Sequence, residues 1–246
     1  MQPLVSEFIG TFILILLGTG VNAANTLNKS YAQNTGWVFI TLGWGFSVFA
    51  GVVVAGPASG AHLNPAVTVG LATAGLFPWA DVTGYVLAQL GGAMLGAFIA
   101  WATYYKQYLA TEDNGAKLGT FSTGPAVPHA PSNFFSEFIG TFVLVFVVLY
   151  IVGPELKADN LENVTIGLGS VGALPVALLV VVIGMALGST TGYAINPARD
   201  LGPRIIHALV PMPKGDSNWG YAWIPVLGPV AGGLVAAGIF LMVSSS

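Results

Sequence analysis

The chain has 246 residues, 54% hydrophobic and only 7% charged, with a net charge of −3 and a mean hydropathy of +0.78. Soluble domains carry about 25% charged residues, so the composition excludes an ordinary solvated globule and points to a polytopic membrane protein. The slight negative charge argues against nucleic acid as a partner, and the lack of cysteine excludes disulfides and thiol chemistry.

The N-terminus, Met1-Gln2-Pro3 and then Ser6-Glu7-Phe8, has neither a basic n-region nor a small-residue cleavage site. The first apolar run is therefore expected to be a retained span rather than a cleaved signal. A crossing needs about 20 apolar residues, and six runs qualify, at roughly 4–23, 37–55, 80–104, 134–153, 167–188 and 220–243. The first opens on Ser6-Glu7-Phe8-Ile9-Gly10-Thr11-Phe12, and the fourth repeats it as Ser136-Glu137-Phe138-Ile139-Gly140-Thr141-Phe142, a shift of 130 residues. Asn64-Pro65-Ala66 recurs as Asn196-Pro197-Ala198, a shift of 132. Long matches at a near-constant offset indicate a duplicated unit. Gly92 and Gly96 in the third span and Gly228 and Gly232 in the sixth share the GxxxG spacing, which lets helix backbones approach closely.

The duplication makes one membrane domain over 1–246 from repeats at about 1–105 and 134–246. Each repeat has three spans, an odd number, so the second enters the membrane from the opposite side and the halves are inverted. The linker at about 105–133, with Lys106, Glu112, Asp113 and Lys117, reads as a solvated loop. The segments 64–76 and 196–209 are too short to span. Asn as N-cap and Pro at the first helical position start a helix, so each is expected to be a re-entrant half-helix. The stretches before them, 56–63 and 188–195, read as non-helical backbone, tolerated at membrane depth only in a protein interior or along a water-filled cavity. Inverted repeats with interrupted helices place a site near the midplane.

A capping Asn uses its side-chain oxygen on its own helix, which leaves its NH2 group pointing outward. Two half-helices meeting tip to tip would offer two such donors to a passing oxygen and orient its hydrogens away, which disfavours a proton wire. Their N-termini add about half a positive charge each, which repels cations. The copies differ in the next residue: Val67 after the first, Arg199 after the second. An intramembrane charge is a functional candidate by default. Arg199 is read as a hydrogen-bond donor at a selectivity constriction, with an ion pair to Asp200 as the structural alternative.

Gly60-Ala61-His62-Leu63-Asn64-Pro65-Ala66-Val67 and Gly192-Tyr193-Ala194-Ile195-Asn196-Pro197-Ala198-Arg199-Asp200 together resemble the aquaporin (major intrinsic protein) family over nearly the whole chain. The resemblance implies an all-α membrane protein of six transmembrane helices and two re-entrant half-helices, a passive pore, a homotetramer with one pore per subunit, and cytoplasmic termini. The loop lysines point the other way. Lys157 is the only one on the side of the termini, while Lys29, Lys106, Lys117 and Lys214 lie opposite, so a positive-inside count puts the termini outside. The family orientation is preferred, because the lysines are few and most have acidic neighbours.

Alignment with the family puts Trp44, Gly184, Tyr193 and Arg199 at the constriction. Water-selective members typically carry His in place of Gly184 and Phe in place of Trp44. Gly184 is expected to leave space, and Trp44 and Tyr193 to form an apolar corner against Arg199, suited to the carbons and hydroxyls of a polyol. Asp200 also resembles the glycerol facilitator (aquaglyceroporin) branch, whereas Tyr193 stands where its best-known members have Phe. The resemblance further implies that Glu7 and Glu137 accept hydrogen bonds from the re-entrant backbone; solvated helix-end carboxylates are the alternative. His62 either fixes the first re-entrant loop or packs.

The expected function is a plasma-membrane channel for glycerol and similar uncharged solutes, also passing water and excluding ions and protons. Urea, hydrogen peroxide and undissociated lactic acid suit the same filter. The alternative is a mainly water-selective pore, and from other classes a coupled secondary transporter or a closed structural protein. His62, His129 and His207 form no metal pattern, and no nucleophile–base pair or phosphate loop is present. Neither enzymatic activity nor a metal or cofactor is expected.

Overall fold

A computed structural model describes residues 1–153 and 167–244. Among these residues the chain is all helical: α1 (Pro3–Thr26), α2 (Trp37–Ser59), α3 (Pro65–Thr73), α4 (Trp79–Thr103), α5 (Tyr105–Ala110), α6 (Asn114–Phe121), α7 (Ala130–Leu149), α8 (Leu174–Leu187), α9 (Pro197–Leu209) and α10 (Ile224–Ser244). Short 3-10 turns at Gly169–Ala173 and Gly188–Thr190 extend α8 at both ends. Six segments are long and apolar enough to cross a membrane: α1, α2, α4, α7, α8 with its turns, and α10. Leu17, Phe46, Leu87 and Val182 are exposed on them, as a lipid-facing surface requires. The protein is an integral, multi-pass membrane protein.

The two halves use the same contacts. α1 packs on α4 and α7 on α10, while the half-helices cross over, α3 against α10 and α9 against α4. Each half-helix thus leans on a span of the opposite half. A Cβ on Gly92 would lie 3.0 Å from Phe12 N, and one on Gly232 would lie 2.9 Å from the matching Phe142 N. Gly92 and Gly232 are therefore the equivalent pair, so the GxxxG pairs of the two halves are offset by one helical turn. Gly228 instead meets the Glu137 Cβ, at 2.9 Å. Both spans carry small residues at successive i, i+4 places, so spacing alone leaves the register open.

Two expectations are corrected. α2 runs to Ser59, so 56–59 are helical despite Pro57, and the irregular approach begins at Gly60 in a left-handed conformation (φ 80°). The linker is not a solvated loop: it folds into α5 and α6, with Tyr108, Phe121 and Lys117 buried. Asp113 caps α6 by accepting from Ala116 N at 3.0 Å. Lys117 reaches in and donates to Pro213 O at 2.7 Å, so a carbonyl takes the place of water. Burial pushes the Tyr108 phenol above its ordinary value, and its neutral hydroxyl bonds Thr120 Oγ1 at 2.6 Å. Lys157, used in the charge count, lies outside the described residues.

Candidate functional site

The half-helices begin at matching caps. Asn64 Oδ1 accepts from Ala66 N at 2.9 Å, and Asn196 Oδ1 accepts from Ala198 N at 3.0 Å and Arg199 N at 3.2 Å. The amide nitrogens, expected to be free, are half engaged. Asn64 Nδ2 donates to Ile195 O and Asn196 Nδ2 to Leu63 O, both at 2.8 Å. Each cap is tied to the backbone leading into the other, and each amide keeps one N–H for a passing oxygen. Both Asn residues line a cavity of about 120 Å³ whose other walls include Leu14, Val48, Val67 and Val180.

Two buried carboxylates hold the approaches. Glu7 accepts from His62 N at 2.9 Å and Leu63 N at 2.8 Å; Glu137 accepts from Ala194 N at 3.0 Å and Ile195 N at 2.9 Å. Successive backbone N–H groups in such turns form an anion nest. The geometry requires left-handed residues, at Ala61, Leu63, Tyr193 and Ile195 (φ 52°, 50°, 36° and 43°). For bulky side chains this strain costs about 1–3 kcal/mol each, and the carboxylates offset it. Ser59 Oγ and Thr191 Oγ1 donate to the two carboxylates, at 2.7 and 2.6 Å. His62 Nδ1 lies 3.1 Å from Thr68 Oγ1, and its ring packs on Phe77 and Tyr85. It therefore ties the loop to α3 and packs at once, and it also lines the cavity.

Trp44, Tyr193 and Arg199 line both this cavity and a second one of about 250 Å³ on the linker side. The two cavities share these three side chains. The Arg199 guanidinium sits over the Trp44 ring, 3.9 Å from its centroid, a cation–π contact that leaves the guanidinium edge for hydrogen bonds. One of these goes from Nη1 to Phe121 O at 3.2 Å. Trp44 is fixed by donating Nε1–H to Asn22 Oδ1 at 3.0 Å, and Asn22 Nδ2 donates to Thr120 O at 3.4 Å.

Gly184 does not leave open space. A Cβ there would lie 2.7 Å from Tyr193 Cζ and 2.9 Å from Thr41 Cγ2. The Tyr193 ring occupies the room that the missing side chain creates. Trp37 braces this corner, edge-on to Tyr193 at 5.7 Å between centroids, and donates Nε1–H to Gly184 O at 3.0 Å.

Asp200 pairs with Arg204 rather than with Arg199. Arg204 Nε lies 2.8 Å from Asp200 Oδ1 and Nη2 lies 3.0 Å from Oδ2, with both side chains fully buried. Thr123 donates to Asp200 Oδ2 from both N and Oγ1 at 2.7 Å, and Arg204 binds Thr123 O and Ser217 O. The pair clamps the linker onto α9. Sequence reasoning missed Arg204, Asn22, Trp37 and the linker residues. Only Asp200–Arg204 carried a signal, the i, i+4 spacing of an ion pair on a helix. Among the described residues no three His, Asp or Glu side chains gather as metal ligands would.

The sequence profile described as Major intrinsic protein matches residues 1–240. The chain belongs to the major intrinsic protein family. Among its relatives in that family, the chain is 53% identical to glycerol uptake facilitator protein 3 of Lactiplantibacillus plantarum, over 96% of this chain and 95% of the relative. It is 49% identical to the glycerol uptake facilitator protein of Streptococcus pneumoniae, over 98% of each. Among solved structures, the aquaglyceroporin of Plasmodium falciparum superposes with a TM-score of 0.80 at 30% identity, covering 96% of this chain and 93% of that one.

Proposed function

We propose that this protein is a passive channel for glycerol and similar small uncharged solutes, that it also passes water, and that it excludes ions and protons. The observation that carries this is the trio of Trp44, Tyr193 and Arg199 shared by the two cavities. Trp44 and Tyr193 supply ring faces for a carbon chain, and Arg199 supplies N–H groups for its hydroxyls. The naming of its relatives as glycerol uptake facilitators supports the same solute class. Asn64 and Asn196 act at the midplane through one free N–H each, with Pro65-Ala66 and Pro197-Ala198 starting the helices behind them. The half-helix N-termini and Arg199 give the path a positive potential that repels cations. Glu7, Glu137, His62 and Asp200 support the frame.

In this account 1–246 is a single channel domain of two inverted repeats. It lies in the plasma membrane with cytoplasmic termini and assembles as a homotetramer. Urea, hydrogen peroxide and undissociated lactic acid are further solutes of suitable size and neutrality. No reaction, metal or cofactor is assigned to the path.

The test is stopped-flow permeability of the purified protein in lipid vesicles. Glycerol flux well above that of empty vesicles is expected, and glycerol flux equal to empty vesicles would refute the proposal. A second reading, a mainly water-selective pore, is favoured by one observation: the Tyr193 ring fills the space beside Gly184. Fast water flux without glycerol flux would select it.

A further inference from the structure

The linker helix α6 presents a bare face to the outer cavity. Ala116, Gly119 and Ser122, spaced three apart, all line the 250 Å³ space outside Trp44, Tyr193 and Arg199. At Gly119 no atom lies within 4 Å of the place a Cβ would take. Any side chain there would grow into the cavity. The helix cannot roll to hide that face, because Lys117, Thr120 and Phe121 on its other side are buried. Helix propensity gives no reason for glycine at this place, since alanine is favoured in a helix interior.

The same cavity is lined by two residues whose hydroxyls lack partners. Ser122 Oγ and Tyr193 OH are buried and have no hydrogen-bond partner among the described residues. A buried hydroxyl without a partner is unfavourable, but neither oxygen has surface open to the cavity, so neither serves a solute there. The cavity is also the larger of the two that share Trp44, Tyr193 and Arg199, about 250 Å³ against about 120 Å³.

We infer that Gly119 is a specificity-determining residue: the bare face of α6 sets how long a neutral polyol can align outside Arg199. This rests on the solute route proposed above. A polyol must straighten end-on before it enters the constriction, and α6 is the wall against which it turns. Water needs no such room.

The experiment compares water, glycerol and ribitol, a five-carbon polyol, in vesicles holding the full-length protein. The unsubstituted protein conducts all three, ribitol slowest. Gly119→Leu lowers ribitol permeability by about tenfold or more, glycerol by less, and leaves water unchanged. Ala116→Leu enters the cavity from the same face and gives the same order, so the inference does not hang on one variant. Unchanged ribitol flux in both leucine variants would overturn the inference, as would an equal loss of all three solutes or an unsubstituted protein that passes glycerol but no ribitol. An unsubstituted protein that passes no glycerol would instead sink the channel proposal, whatever Gly119 does.

Discussion

The two half-helices start alike and then diverge. α3 has nine residues and, among the described residues, no charged group; α9 has thirteen and carries Arg199, Asp200, Arg204 and His207. The carboxylates behind them differ in the opposite sense. Glu7 accepts four donors, from Ser59, His62, Leu63 and Gln89, whereas Glu137 accepts three, from Thr191, Ala194 and Ile195. In the first half the approach is held from within the bundle. In the second, the linker contributes as well, through Phe121 O on Arg199 and Thr123 on Asp200 and Arg204. The two halves share a frame, and in the proposed channel the selective chemistry lies on the side that the linker covers.

The comparison breaks most readily at the buried ion pair. Asp200→Ala leaves Arg204 buried and unpaired, at an expected loss of about 3–5 kcal/mol, read as thermal unfolding in detergent. The first half has no counterpart to lose, so a loss no larger than that from Glu7→Gln would contradict the asymmetry. Next comes the carboxylate itself. Glu7→Gln and Glu137→Gln each put an amide where two backbone N–H groups need acceptors, at about 1–3 kcal/mol. Glu7 should suffer more, because each of its oxygens accepts two donors, whereas Glu137 Oε2 accepts only one. Equal shifts in melting temperature would show that the fourth donor contributes nothing.

Gly184→Ala sharpens the account of the constriction. Its methyl must displace the Tyr193 ring, an overpacking of about 1–3 kcal/mol, and glycerol permeability should fall several-fold. Tyr193→Leu in the same chain should restore much of that flux; no rescue would separate Gly184 from Tyr193. The smallest effect is expected from Trp44→Phe. It keeps a ring under Arg199 but drops the N–H to Asn22, worth about 1 kcal/mol, read as a small fall in melting temperature.

Much of this architecture is legible in the sequence because it depends on length and pattern. Six apolar runs, a repeated Ser-Glu-Phe-Ile-Gly-Thr-Phe and two Asn-Pro-Ala triplets specify spans, duplication and half-helix starts without knowledge of side-chain contacts. The features that escape depend on contacts between segments distant in sequence. The linker carries Lys106, Glu112, Asp113 and Lys117 among several Gly and Pro residues, so its composition alone assigns it to solvent. Its burial comes from Lys117 reaching Pro213, 96 residues away, and from Phe121 packing edge-on to His207. The ring of Tyr193 lies over Gly184 only because the left-handed turn at residues 192–193 aims it there. A missing side chain in an alignment is thus not an empty place in space. The amides of Asn64 and Asn196 keep one free N–H rather than two for a similar reason: the backbone carbonyls that each engages belong to the opposite half.

The central claim is that the residues after the second triplet, not the triplets themselves, decide which solutes pass. Arg199→Val makes the second copy resemble the first, with its Val67, and so tests the claim most directly. The measurement is the ratio of glycerol to water permeability in vesicles, read together with proton leak from a trapped pH dye. The account predicts a changed ratio and a measurable leak in the variant, with a tight, glycerol-permeable channel before substitution. An unchanged ratio with no leak would contradict it.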